Sequence, residues 1–80
     1  MATVPTPDQT ALKILAIFIY FKRRPGEALP LESIMVVWKE RGLDHADLKP
    51  GLDYAQEQGW IEMFNNGNSV RLTEKGFAQA

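Results

Sequence analysis

The sequence predicts a mainly α domain with a small β-hairpin: three helices, a two-stranded wing after the third, and a short C-terminal helix. Three observations carry this expectation. Leu31, Ile34, Met35 and Trp38 recur at i, i+3, i+4, i+7, the spacing of one helix face. Leu48, Leu52 and Ala55 repeat that spacing just before Gln58-Gly59, a helix stop. Trp60-Ile61-Glu62-Met63-Phe64 and Val70-Arg71-Leu72 then flank Asn65-Asn66-Gly67-Asn68, residue types that accept the positive φ of a hairpin turn.

Each element follows in order. Residues 1–7 carry two prolines and two threonines without periodicity and read as a flexible arm; the folded domain is expected over 8–80. Asp8 is the expected N-cap of a first helix over about 8–24. Lys22-Arg23-Arg24 would face its negative C-terminal end, and Pro25-Gly26 would stop it. Ala28-Leu29 suits a small strand. A second helix is expected over 31–41, with Pro30 at its start and Gly42 at its stop. The third begins at Asp44 or at Asp47; Pro50 fits the first turn in the second case and would kink the helix in the first. In the hairpin, Ile61 and Met63 share one face, and Trp60, Glu62 and Phe64 the other. Thr73 caps a last helix over 74–79, from which Phe77 would fold back onto the core.

Eighty residues allow one small core, and 45% apolar content is ordinary for a globular domain. With no cysteine, disulfides and thiolate metal sites are excluded. No apolar run approaches the roughly 20 residues of a membrane span, and the N-terminus lacks the pattern of a secretory signal. No membrane association is expected, and a cytoplasmic location is. The single histidine, His45, lies in Asp44-His45-Ala46-Asp47, which matches no usual metal-ligand spacing and reads more simply as a helix start. Ser33 and Ser69 have no base nearby in sequence, and Gly67 is not at a strand-to-helix junction. Neither an enzyme nor a cofactor is expected.

From the third helix onward the chain resembles the winged helix-turn-helix superfamily, nearest to bacterial regulators of the MarR and PadR type. The likeness rests on Leu52, Ala55, Glu57, Gly59, Trp60 and Ile61, followed by Leu72-Thr73-Glu74-Lys75-Gly76, and with the first two helices it covers about 8–80. It implies a DNA-binding transcription regulator. The third helix would enter the major groove, and Asn65, Asn66, Asn68 and Arg71 on the wing would touch the backbone or minor groove. Fold alone does not fix that function.

Charge tests this implication. Net charge is −1, where groove-binding domains are usually basic on one face. At about 100° per residue, the outward arc of the third helix holds Pro50, Asp53, Tyr54 and Glu57, with Asp47 at its margin. Carboxylates are repelled by a phosphate-lined groove. Positive charge lies at Lys39 and Arg41, at Lys49, on the wing at Arg71, and at Lys75. These could clamp phosphates on either side of the helix, although Lys39 and Arg41 also complement a helix dipole. Arg71 is the best of them, because a wing strand gives it little structural purpose.

Two further surfaces invite a protein partner. Apolar side chains cover roughly 260° of the first helix, more than one core requires. Ile17 and Phe21, off the main arc, are covered by another segment of the chain or form the seam of a homodimer. Trp60 and Phe64 either pack on the core or form an aromatic patch. Two functions therefore stand: a DNA-binding regulator that contacts duplex DNA, and an interaction module that binds protein through the acidic third helix.

Overall fold

A computed structural model describes residues 6–80. Its elements are α1 (Pro7–Tyr20), β1 (Ala28–Pro30), α2 (Leu31–Glu40), α3 (His45–Glu57), β2 (Ile61–Phe64), β3 (Ser69–Leu72) and α4 (Glu74–Gln79). Among the described residues, four helices pack with a three-stranded antiparallel sheet of order β1-β3-β2. Residues 1–5 of the expected arm lie outside the described residues.

The start of α1 differs from expectation. Thr6 is the N-cap, with Pro7 at the first helical position and Asp8 inside the first turn. Pro loses nothing there, because that N–H would have no helical partner. The Gln9 side chain reaches back to accept from the Thr6 N–H at 3.3 Å. The Thr6 hydroxyl bonds the Asp8 carboxylate and holds its pKa below the ordinary 3.8.

Helices α1, α2 and α3 all end in the same way. A residue with positive φ follows the cap, its N–H and the next one turning back onto carbonyls of the last turn. Gly42 (φ 69°) and Gly59 (φ 76°) serve α2 and α3, as expected. In α1 the position is held by Lys22 at φ 58°, with Arg23 N–H donating to the Phe18 carbonyl at 2.9 Å. The helix therefore stops at Tyr20, not Arg24, and the basic run lies beyond it.

The α2–α3 turn is tied by the buried Trp38, whose indole N–H donates to the Asp44 carbonyl at 2.8 Å. The Asp44 carboxylate caps α3 by accepting from Ala46 N–H at 2.9 Å. With Asp44 as cap, Pro50 falls inside the helix and leaves the Ala46 carbonyl without its helical donor. Both residues are exposed, so water can satisfy that group.

The core joins Ile14, Leu15, Ile17 and Phe18 of α1 to Ile34, Val37 and Trp38 of α2, Leu48, Leu52 and Ala55 of α3, and Leu29, Ile61, Val70 and Leu72 of the sheet. Two expectations fail here, for Met35 and Phe77, and of the two readings of Ile17 the burial supports cover by its own chain. On α2 it is Val37 that is buried, whereas Met35 is 38% exposed, because the inward stripe turns by one residue. On α4 the buried residue is Gly76, and Phe77 is 43% exposed. Ile17 is 0% exposed within its own chain and offers no seam; Phe21 is half-buried against the core.

Two glycines permit close approach. A Cβ at Gly51 would overlap Thr10 Cγ2, so α1 and α3 meet through a glycine and a buried threonine. A Cβ at Gly76 would overlap the Trp60 carbonyl oxygen. Overpacking costs about 1–3 kcal/mol, more than the roughly 1 kcal/mol that alanine gains over glycine within a helix. Gly51→Ala and Gly76→Ala should both lower stability in urea unfolding. Thr10→Ser, which deletes the obstructing methyl, should recover part of the Gly51→Ala loss and none of the Gly76→Ala loss. Lys22→Gly should stabilise by about 0.5–1 kcal/mol: the left-handed conformation costs a side chain about 1–2 kcal/mol, against about 0.5–1 kcal/mol of extra entropy for glycine. A lowered unfolding midpoint for Lys22→Gly would contradict that account.

Candidate functional site

The exposed face of α3 is built by its own phase. With Leu48, Leu52 and Ala55 buried, Ala46, Lys49, Pro50, Asp53, Gln56 and Glu57 are left exposed. Asp47 is half-buried at the margin. Tyr54 is also half-buried, its ring edge-on to Trp60 with centroids 5.6 Å apart. Counting the cap, α3 carries Asp44, Asp47, Asp53 and Glu57 against one lysine. That lysine, Lys49, lies 3.3 Å from Asp53 at i,i+4. Such an exposed pair is worth about 0.3–0.5 kcal/mol, so Lys49 can leave it readily. Leaving would uncover another carboxylate, and the face would keep its sign.

Beside α3 stands the wing. Asn65, Asn66 and Gly67 take φ of 53°, 57° and 83°, the positive values expected of them. The turn closes through Gly67 N–H to the Phe64 carbonyl and Asn68 N–H to the Asn65 carbonyl, each 3.1 Å. Asn65 Nδ2 donates weakly to Ser69 Oγ at 3.4 Å, and the Asn68 carbonyl accepts from Leu31 N–H at 2.8 Å, which ties the wing tip to the start of α2. The side chains of Asn65, Asn66 and Asn68 are exposed.

Arg71 has structural partners that its sequence position did not reveal. In the β2–β3 register it stands opposite Glu62, and its Nη1 is 3.5 Å from the Glu62 carboxylate. Its guanidinium also lies over the Phe64 ring, 4.9 Å from the centroid. Phe64 is thereby covered on the sheet's outer face, while Trp60 packs on Tyr54 and the core. The two aromatics do not form a joint patch.

The other cations lie apart. Lys39 is exposed in the last turn of α2. Arg41, just past α2, holds its guanidinium 5.5 Å from the centroid of the Tyr20 ring at the end of α1. Lys75 is exposed in the first turn of α4. Of the nine candidate contacts, Lys49 and Tyr54 share α3, and Asn65, Asn66, Asn68 and Arg71 share the wing. Among the described residues, no three His, Cys, Asp or Glu side chains converge as a metal cluster, and no helix is long and apolar enough to cross a membrane.

Expectation missed an apolar strip across α2. One groove of about 560 Å³ lies between α2, α3 and the wing, lined by Leu31, Met35, His45, Lys49, Leu52 and Met63. A second, of about 460 Å³, runs between the end of α1 and α2, lined by Tyr20, Phe21, Val36 and Val37 with Glu32 and Glu40 at its edge. Met35 and Val36, adjacent in sequence, bring the two together on α2. Both were hidden because the stripe through Met35 reads as core.

Arg71→Ala should cost up to about 1 kcal/mol in urea unfolding, through loss of the Glu62 pair and the Phe64 contact. No loss at all would mark Arg71 as a cation without a structural task. No family model matches the chain, and neither does any curated protein or solved structure.

Proposed function

We propose that this chain is a winged helix-turn-helix domain that acts as a protein-interaction module, with the outward face of α3 receiving a basic segment of its partner. The element order supports the fold: α1, β1, α2, α3 and then a hairpin paired to β1. One observation supports the partner's chemistry above the rest. Asp47, Asp53 and Glu57 lie on the face that such a domain would turn towards its target, and the lysine among them is already beside Asp53. A carboxylate face attracts Lys and Arg side chains and is repelled by phosphates.

A second reading has its own support. The wing tip presents three exposed asparagines, and Lys39, Lys49, Arg71 and Lys75 could each turn to a phosphate by giving up interactions worth no more than about 1 kcal/mol. Duplex DNA is the target on this reading, and transcription regulation the role.

Amide shifts of the ¹⁵N-labelled chain distinguish the two. At about 50 mM salt, a mixed-sequence duplex should leave Asp53, Gln56 and Glu57 unmoved. A Lys/Arg-rich peptide should shift them, less so at about 200 mM. The double substitution Asp53→Asn with Glu57→Gln should weaken the peptide about five- to tenfold. Salt-sensitive shifts with duplex at Lys49, Asn66 and Arg71 would instead establish the DNA reading.

A further inference from the structure

The exposed stripe of α2 is Glu32, Met35, Val36 and Lys39, at i, i+3, i+4 and i+7. Acid stands at one end, base at the other, and two apolar side chains between them. Met35 is 38% exposed and Val36 51%, and apolar grooves flank them on both sides. This order has a symmetry property. Turn a second α2 antiparallel about a two-fold axis midway between Met35 and Val36. Glu32 then comes level with Lys39 of the second copy, Lys39 with its Glu32, and Met35 with its Val36. The offset from Glu32 to Lys39 is seven residues, about 10.5 Å along the axis, so both ion pairs form in one register. Helices packed about 8–10 Å apart bring such side chains within reach.

We propose that this stripe is the seam of an isologous homodimer, with α2 packed antiparallel on α2 of a second copy. The partner is assigned by charge complementarity: each end of the stripe meets its opposite in an identical chain, the self-matching that a two-fold interface requires. The dimer extends beyond the interaction role proposed for α3 and does not rest on it. The footprint is small, centred on four residues of one helix with Tyr20 at its edge, which puts it among the weak, transient interfaces. The seam is also distinct from α1, where Ile17 is buried under its own chain.

A competing account is that Glu32 and Lys39 only complement the dipole of their own helix. Charge reversal in separate chains distinguishes the two. Sedimentation equilibrium up to about 1 mM should show the wild-type mass rising from the monomer value towards twice it. Glu32→Lys and Lys39→Glu should each stay monomeric, because like charges then meet across the axis. An equimolar mixture of the two should dimerise again, since each lysine of one chain faces a glutamate of the other. Val36→Lys should abolish the dimer and Leu12→Lys on α1 should leave it intact, with thermal unfolding showing every variant folded. A monomeric wild type at the highest concentration, no recovery on mixing, or a dimer abolished by Leu12→Lys but not by Val36→Lys would each overturn the proposal.

Discussion

The Thr73 side chain occupies the point where the third helix, the hairpin and the last helix meet. Its hydroxyl lies 2.6 Å from the Gly59 carbonyl and 2.9 Å from the Trp60 carbonyl, sharing one proton between them. The same oxygen accepts from Gly76 N–H at 3.0 Å, which caps α4. Thr73 N–H donates again to the Trp60 carbonyl at 3.1 Å. One residue thus joins the end of α3, the mouth of the hairpin and the start of α4. Gly76 completes the clasp, because only a residue without Cβ lets α4 lie against the Trp60 backbone. The Leu-Thr-x-x-Gly pattern has a physical cause here: Leu72 enters the core, Thr73 binds three backbone groups, and Gly76 makes room. Without this clasp, β2 and β3 would still pair and pack on α3 through Ile61 and Trp60, but their base would lose its hydrogen bonds to the start of α4.

The backbone was more legible in the sequence than the faces of its helices. Gly42, Gly59 and the Asn65-Asn66-Gly67 turn each occupy a positive φ for which their side chains, or lack of them, are suited. Their signal is local, so local reasoning finds it. The end of α1 was misread because Lys22 takes the left-handed position without being glycine or asparagine. Pro25-Gly26 looked like the stop and is instead a later turn. The phase of α2 was misread for another reason. Leu31, Ile34, Met35 and Trp38 make a plausible stripe, but so do Ile34, Val37 and Trp38. Only the position of the sheet and of α1 decides between them.

The candidate site divides along the same line. That Asp53 and Glu57 would lie outward on α3 followed from helical phase alone. That Arg71 would stand against Glu62 and over Phe64 depended on the strand register, which brings Arg71 opposite Glu62. Register arises from the turn and the buried face together, and sequence spacing does not display it. Ile17 is the converse case. The wide apolar arc of α1 left two readings open, cover by another segment of the chain or a dimer seam. Ile17 follows the first: α1 packs against α2, α3 and α4, which bury it, while Leu12, Ile19 and Tyr20 stay exposed. At Ile17 the breadth of the apolar face reported centrality in the fold.

A net charge of −1 leaves the distribution of charge to decide what the surface attracts. Three of the nine cations are drawn into local interactions: Lys49 to Asp53, Arg71 to Glu62 and Phe64, Arg41 to Tyr20. Each interaction is weak, and any one of these side chains could turn elsewhere for about 1 kcal/mol or less. Lys49 and Arg71, however, are paired with carboxylates on the same faces. Recruiting Lys49 and Arg71 to phosphates would expose Asp53 and Glu62 beside those phosphates, so the gain from each new contact is offset by a repulsion nearby. A cationic peptide that takes Asp53 from Lys49 meets the mirror-image repulsion from the freed lysine, but Asp47 and Glu57 remain on the α3 face to outweigh it. The asymmetry comes from which sign is in excess on the face, and it favours a basic partner whatever the strength of any single ion pair.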